Sequence, residues 1–322
     1  MAATQDRSPD RLAIIRRLYF YFIAAVSLMV GLSALSGLLA ALLDVWLRPS
    51  GMLVVNSTGF VRDAIARQGG LLLVSTPIFL IHWRYIRRLA RQTEEARAGL
   101  RKLALYVILG LNLAAAAESL HRLVAGAVAL IVGTPLHEST LWPVDWLLLP
   151  LLLLLYLALA RYFLGQLAGD GDLGAEWGWA GTLRRLFQTI VGLVGLSLLL
   201  TGASGLLALF LRLGLERLAE PGLSIGQELW RTGISERTAT MLVGALLWRL
   251  NWRSWEGLLQ GAPEEGRTAL RRLYLYAATV ISAALALVAG ASLLREGLLF
   301  LLDVNEMASL PELSGSLGML PL

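Results

Sequence analysis

Cysteine is absent from the 322 residues. That excludes disulfides, thiolate metal sites and cysteine nucleophiles. Lysine is nearly absent too, because every one of the 28 basic residues except Lys102 is arginine. Histidine occurs only as His82, His121 and His137, on separate segments, which is no pattern for a metal site. Charge as a whole is scarce, at 16% of residues, while hydrophobic residues reach 57%. Soluble domains typically hold about 25% and 45–50%. A water-soluble chain of this length could not hide so much apolar surface, so lipid must be the solvent for much of it.

What the sequence does have is long uncharged runs. Three are long: Leu18–Leu43, Leu186–Leu211 and Leu273–Leu294. Each can cross a hydrocarbon layer of roughly 30 Å as a helix rising 1.5 Å per residue. Shorter runs, Gln68–Trp83, Trp146–Ala160 and Thr238–Trp248, reach across only if flanking arginines snorkel outward. The run from Leu103 is interrupted by Glu118, His121 and Arg122 and then resumes. The first run exceeds the roughly 7–15 apolar residues of a signal-peptide core and suits an uncleaved anchor.

These runs predict about seven transmembrane helices, near residues 16–44, 66–89, 102–132, 143–167, 184–213, 236–259 and 271–302. The sixth is the shortest in apolar content, with eleven uncharged residues between Arg237 and Arg249. Orientation follows from the arginines. With the N-terminus in the cytoplasm, 19 of the 28 basic residues face that side, and the Thr134–Asp145 connection has none. The expected location is therefore a plasma membrane, in a bacterium the inner one, crossed many times. The net charge of +5 reflects this bias, since no long basic tract suggests nucleic acid.

Internal repetition is the most informative pattern. Arg16-Arg17-Leu18-Tyr19-Phe20-Tyr21 returns as Arg101-Lys102-Leu103-Ala104-Leu105-Tyr106. It returns again as Arg184-Arg185-Leu186-Phe187 and as Arg271-Arg272-Leu273-Tyr274-Leu275-Tyr276. The steps are 85, 83 and 87 residues. At an offset of 168, Ser36-Gly37-Leu38-Leu39-Ala40 recurs unchanged as Ser204-Gly205-Leu206-Leu207-Ala208, in register with its header. The expected fold is thus an all-α polytopic membrane bundle of repeated two-helix hairpins, entering the membrane in one common sense. Two larger units are expected, residues 1–170 with four helices and 171–322 with three. An eighth helix would complete the second.

The Arg-Leu-Tyr headers, the leucine-rich middles with small residues and the Trp-Arg helix ends resemble an uncharacterised prokaryotic membrane family, a domain of unknown function. The resemblance implies four helices per domain and supplies no activity.

Four residue sets are candidates for a role. Glu118, His121 and Arg122 lie inside the third helix, about fifteen residues or roughly 22 Å beyond Leu103, and form a candidate intramembrane polar site. Glu118 and Arg122, four apart, can pair on one face. Ser33 and Gly37, Thr201 and Gly205, and Ala286 and Gly290 are small pairs spaced by four, suited to helix packing at the seams between repeats. Arg16, Arg17, Tyr19, Trp83, Arg84, Arg184, Arg185, Trp248, Arg249, Arg271 and Arg272 are expected interfacial anchors, and their clusters suit anionic lipid. Asp44 and Asp303 read as helix ends at the outer interface. Gly169-Asp170-Gly171-Asp172-Leu173-Gly174 matches GxGxxG but follows a membrane helix rather than a strand, so it reads as a flexible loop. Asp170, Asp172 and Glu176 fall short of the spacing for a calcium loop.

No catalytic motif stands in a suitable context and no cofactor is implied. The expected role is that of a structural or accessory membrane protein, whose partners are the bilayer, another membrane protein or a second copy of itself. The alternative is a transporter or channel with Glu118, His121 and Arg122 on its path. An enzyme ranks last.

Overall fold

The computed structural model describes residues 11–47, 57–91, 99–134, 143–170, 178–219, 227–261 and 269–301. Among them the protein is entirely α-helical, with one helix over each expected span. The helices are α1 (Arg11–Leu47), α2 (Ser57–Leu89), α3 (Gly99–Ile131), α4 (Asp145–Gly169), α5 (Trp179–Ala219), α6 (Gln227–Gly261) and α7 (Ala269–Leu301). Leu, Ala and Arg are strong helix formers. In lipid a helix is also the one open-chain structure that bonds all its backbone groups internally.

Five of these helices, α1 to α5, are long and apolar enough to cross a membrane. The shortest, α4, has 25 residues, roughly 37 Å of helix. Helix α6 is interrupted by charge: Arg231, Glu236, Arg237, Arg249, Arg253 and Glu256 all fall within it. Large apolar side chains stand exposed on the spans, among them Phe22 at 62%, Leu73 at 78% and Leu154 at 65%. Water would penalise such a surface, and hydrocarbon does not.

The helices divide into two compact units. One holds residues 1–116 and 143–184, the other 117–142 and 185–322, so α3 and α5 each contribute to both. In the first unit, buried residues recur at helical spacing. Tyr21, Ala24, Leu28 and Leu32 line α1; Leu105, Ile108, Asn112 and Ala116 line α3; Ala160, Phe163 and Leu167 line α4.

Helices α1 and α2 run antiparallel. Phe20 stacks on Tyr85 with ring centroids 4.1 Å apart. A Cβ built on Gly31 would lie 3.1 Å from the Ser75 hydroxyl, and one on Gly37 would lie 2.8 Å from the Gln68 side chain. In the second unit α5 and α6 are antiparallel as well. Gln188 pairs with Ser254, Gly195 meets Trp248 and Gly205 meets Arg237. The registers correspond: Gly37 opposite Gln68 matches Gly205 opposite Arg237, and Gly31 opposite Ser75 matches Leu199 opposite Gly244.

Polar groups inside the helices are largely closed onto the local backbone. Ser27 donates to the Ile23 carbonyl at 2.6 Å, Asn112 to Ile108 at 2.8 Å and Thr240 to Glu236 at 2.8 Å. This back-bonding is how a hydroxyl or amide survives away from water. The C-terminus of α3 is finished by Gly133, whose φ of +78° suits glycine. Thr134 N donates to Ala129 O at 2.9 Å and Gly133 N to Leu130 O at 3.2 Å, which satisfies the last carbonyls of the helix.

Candidate functional sites

Two clusters of charged side chains lie within the units. The first belongs to unit 1, where the end of α2, the start of α3 and the end of α4 come together. Arg84, Arg87, Arg88 and Arg91 follow one another at intervals of three, one and three, so they share one side of the helical path. All four are exposed. With Arg101 and Asp170 they wall a cavity of about 660 Å³.

Arg101 is the buried member, with 1% of its side chain exposed. Its Nε donates to one Asp170 oxygen at 2.6 Å and its Nη2 to the other at 3.0 Å. This two-point geometry is the strong form of an arginine–carboxylate bond. Its Nη1 is buried with no hydrogen-bond partner among the described residues. Tyr21 of α1 also lies close to the guanidinium. Beside it Lys102, likewise buried, directs Nζ to the Leu167 carbonyl at 3.5 Å, in the last turn of α4.

An aromatic cluster in the same unit ties α2 to α4. Trp83 is buried, and its indole N–H donates to the Tyr162 hydroxyl at 2.8 Å. Its ring meets Phe163 edge-on at 5.4 Å and stacks near Phe79 at 5.9 Å. Tyr19 is exposed and lies 5.9 Å from the His82 ring.

The second cluster belongs to unit 2, where the latter half of α3 meets α6. His121 Nε2 lies 3.1 Å from the Thr240 hydroxyl and 3.7 Å from Glu236 Oε2. Arg231 donates to the Gly133 carbonyl at 2.9 Å, at the C-terminal end of α3 where a cation is favoured. Arg237 donates to the Gly205 carbonyl through Nη1, and its stem lies across that glycine. Of the expected polar trio, Glu118 is exposed while His121 and Arg122 are half-buried.

The other expected residues fall as follows. Ser33 and Thr201 are exposed, whereas Gly37 and Gly205 each lie beneath a long polar side chain of the antiparallel partner. A Cβ on Gly290 would meet nothing within 4 Å. Arg16, Arg84, Arg249 and Arg272 are exposed, Arg17, Arg185 and Trp248 are half-buried, and Arg184 is buried in unit 1. The side chains of Arg271 and Ala286 lie outside the described residues, as do His137, Asp172, Glu176 and Asp303.

A family model, Domain of unknown function (DUF5671), matches residues 17–159 and again residues 185–321. The chain belongs to this family. The two DUF5671 copies begin 168 residues apart, the offset at which Ser36–Ala40 recurs as Ser204–Ala208. The resemblance carried by the headers is therefore one of membership, and the internal repeat is a duplication of the family's domain. No curated protein matches the chain, and no solved structure does.

The two DUF5671 copies are built differently at corresponding places. The first copy lays side chains, Gln68 and Ser75, over its α1 glycines. The second brings main chain to main chain, since Cβ atoms on Gly195, Gly202 and Gly244 would run into the backbones of Trp248, Met241 and Leu199. Sequence reasoning picked out Gly205 and missed these three. A signal was there, because Gly195 and Gly202 are seven apart and so share a face. Asp170 and Glu236 were also missed as partners of Arg101 and His121. Those pairs span 69 and 115 positions, and no local pattern announces them.

Proposed function

We propose that this protein is a seven-span integral membrane protein of the plasma membrane, built from repeated antiparallel hairpins with its N-terminus in the cytoplasm, and that its role is structural or accessory rather than catalytic. The observation that carries this reading is that charged side chains within the helices are tied to the chain itself. Arg101 holds Asp170, Arg237 holds the Gly205 carbonyl, and His121 reaches Thr240 and Glu236. A permeation path needs polar groups that trade partners with a passing ion. Groups already bonded across two helices act as fasteners, and removing one partner leaves the other exposed to lipid.

Charge bias and helix count support the orientation. The α1–α2 and α5–α6 pairs supply the hairpin pattern, and α6 and α7 complete seven spans if neighbouring helices shelter the charges of α6.

One observation favours a second reading, transport. His121 and Glu236 stand 3.7 Å apart within unit 2, an ion-pair distance for a protonated imidazole, and ionisable groups inside a span are the residues a transport path uses. Proteoliposomes with a pH-sensitive dye inside test both readings. We expect no proton flux above empty vesicles, and we expect His121→Ala to lower thermal stability while Glu118→Ala, on an exposed position, leaves it unchanged. Flux that His121→Ala abolishes in a correctly folded protein would replace the structural reading with the transport one.

A further inference from the structure

The basic cavity of unit 1 is not explained by helix packing. Arg84, Arg87, Arg88 and Arg91 are exposed, and these four like charges stand within two turns. A cleft lined by one sign of charge concentrates ions of the opposite sign. Among the described residues the one carboxylate in the wall, Asp170, is already committed to Nε and Nη2 of Arg101. Nη1 of Arg101 is buried and the guanidinium also interacts with Tyr21, so the donors open to the cavity are those of the exposed arginines.

We propose that this cavity binds a phosphate group, with the exposed Arg84, Arg87, Arg88 and Arg91 as its donors, beside the buried Arg101–Asp170 pair. The planar arginine fork matches two oxygens of a phosphate at once. A carboxylate offers two oxygens in all, and four exposed guanidinium groups suit the larger set that phosphate presents. Asp170 acts here as the clamp that holds Arg101 in place. A cavity of about 660 Å³ has room for the organic part of a phosphoester besides the phosphate. The same chemistry belongs to an anionic lipid headgroup and to a soluble phosphate compound. The site itself does not depend on which side of the membrane it faces.

The test uses the full chain in phosphatidylcholine nanodiscs. Inorganic phosphate is titrated in one arm, and phosphatidylglycerol is added to the disc and counted by native mass spectrometry in the other. The double variant Arg87→Gln with Arg88→Gln changes only exposed positions, so it should fold. Each charge-assisted bond is worth roughly tenfold in affinity, so the pair should weaken binding by about ten- to a hundredfold. Arg62→Gln, exposed near the start of α2 and outside the cavity, should leave it unchanged. Saturable binding of phosphate that the double variant loses supports the proposal with a soluble source. Binding of phosphatidylglycerol alone, lost in the same variant, supports it with a headgroup. The proposal is overturned if neither probe binds saturably, or if Arg62→Gln weakens binding as much as the double variant, because that is bulk attraction to a basic surface.

Discussion

The arginine headers begin as one motif and end in different surroundings. Arg16 and Arg272 are exposed, whereas Arg101, Lys102 and Arg184 are buried. Arg101 sits in the first turn of α3 and Asp170 just past the end of α4. Both are at the unfavourable end of a helix dipole. Neither charge would be placed there for the sake of its own helix, so the two-point bond between them is what makes the arrangement tenable. Asp170→Asn should therefore cost about 3–5 kcal/mol, as expected when one partner of a buried pair is removed. The reading is a lowered Tm in detergent, followed by circular dichroism. A wild-type Tm would mean that Arg101 has another acceptor ready and that the pair contributes little. The arginines were legible in the sequence as a charge bias. Their fates were not, because burial depends on what a distant helix supplies. Asp170 illustrates this: it lies in a Gly-Asp-Gly-Asp run that reads as a loop, and its role appears only when α4 is brought beside α3.

Helices were the most legible part of the protein, since the thickness of a bilayer fixes how long an uncharged run must be. One helix covers each expected span to within two residues, and several helices continue past it: α1 begins at Arg11 and α5 ends at Ala219. Charged residues can extend a helix into water or headgroups without ending it, so a count of apolar residues underestimates length. Partner choice between helices was harder to see. Small residues are everywhere in this chain, with 32 glycines alone, and only the structure shows which lie at a crossing. Gly202 of α5 is one, with the Met241 backbone where a side chain would go. Gly202→Leu should push α5 from α6 and destabilise the protein by about 1–3 kcal/mol or more. Gly257→Ala is the contrasting case, because nothing lies within 4 Å of that position in α6. There the gain in helix propensity should stabilise by about 0.5–1 kcal/mol. Thermal melts of both variants check the pair. Equal and small effects would remove the close crossing from the account.

Two copies of the DUF5671 domain make up residues 17–159 and 185–321, and the duplication was visible because header and pentamer kept one offset. The divergence between copies was not visible, since leucine-rich segments look alike whatever they touch. Topology is directly testable because the protein has no cysteine to mask a label. Single cysteines introduced as Ser8→Cys, Ser139→Cys and Ser314→Cys should report inside, outside and outside to an impermeant maleimide on intact cells. Labelling of residue 314 from the cytoplasm alone would show that α6 does not cross and that the span count is even. The contrast between the two antiparallel pairs then has a mechanical consequence. Where Gln68 and Ser75 fill the gap, a change of rotamer is enough to let α1 and α2 slide or spread. Where the main chains of α5 and α6 touch at Gly195, Gly202 and Gly244, no rotamer exists to yield, and the two can separate only by giving up their contact. Descendants of one ancestral hairpin have thus become a compliant joint and a stiff one.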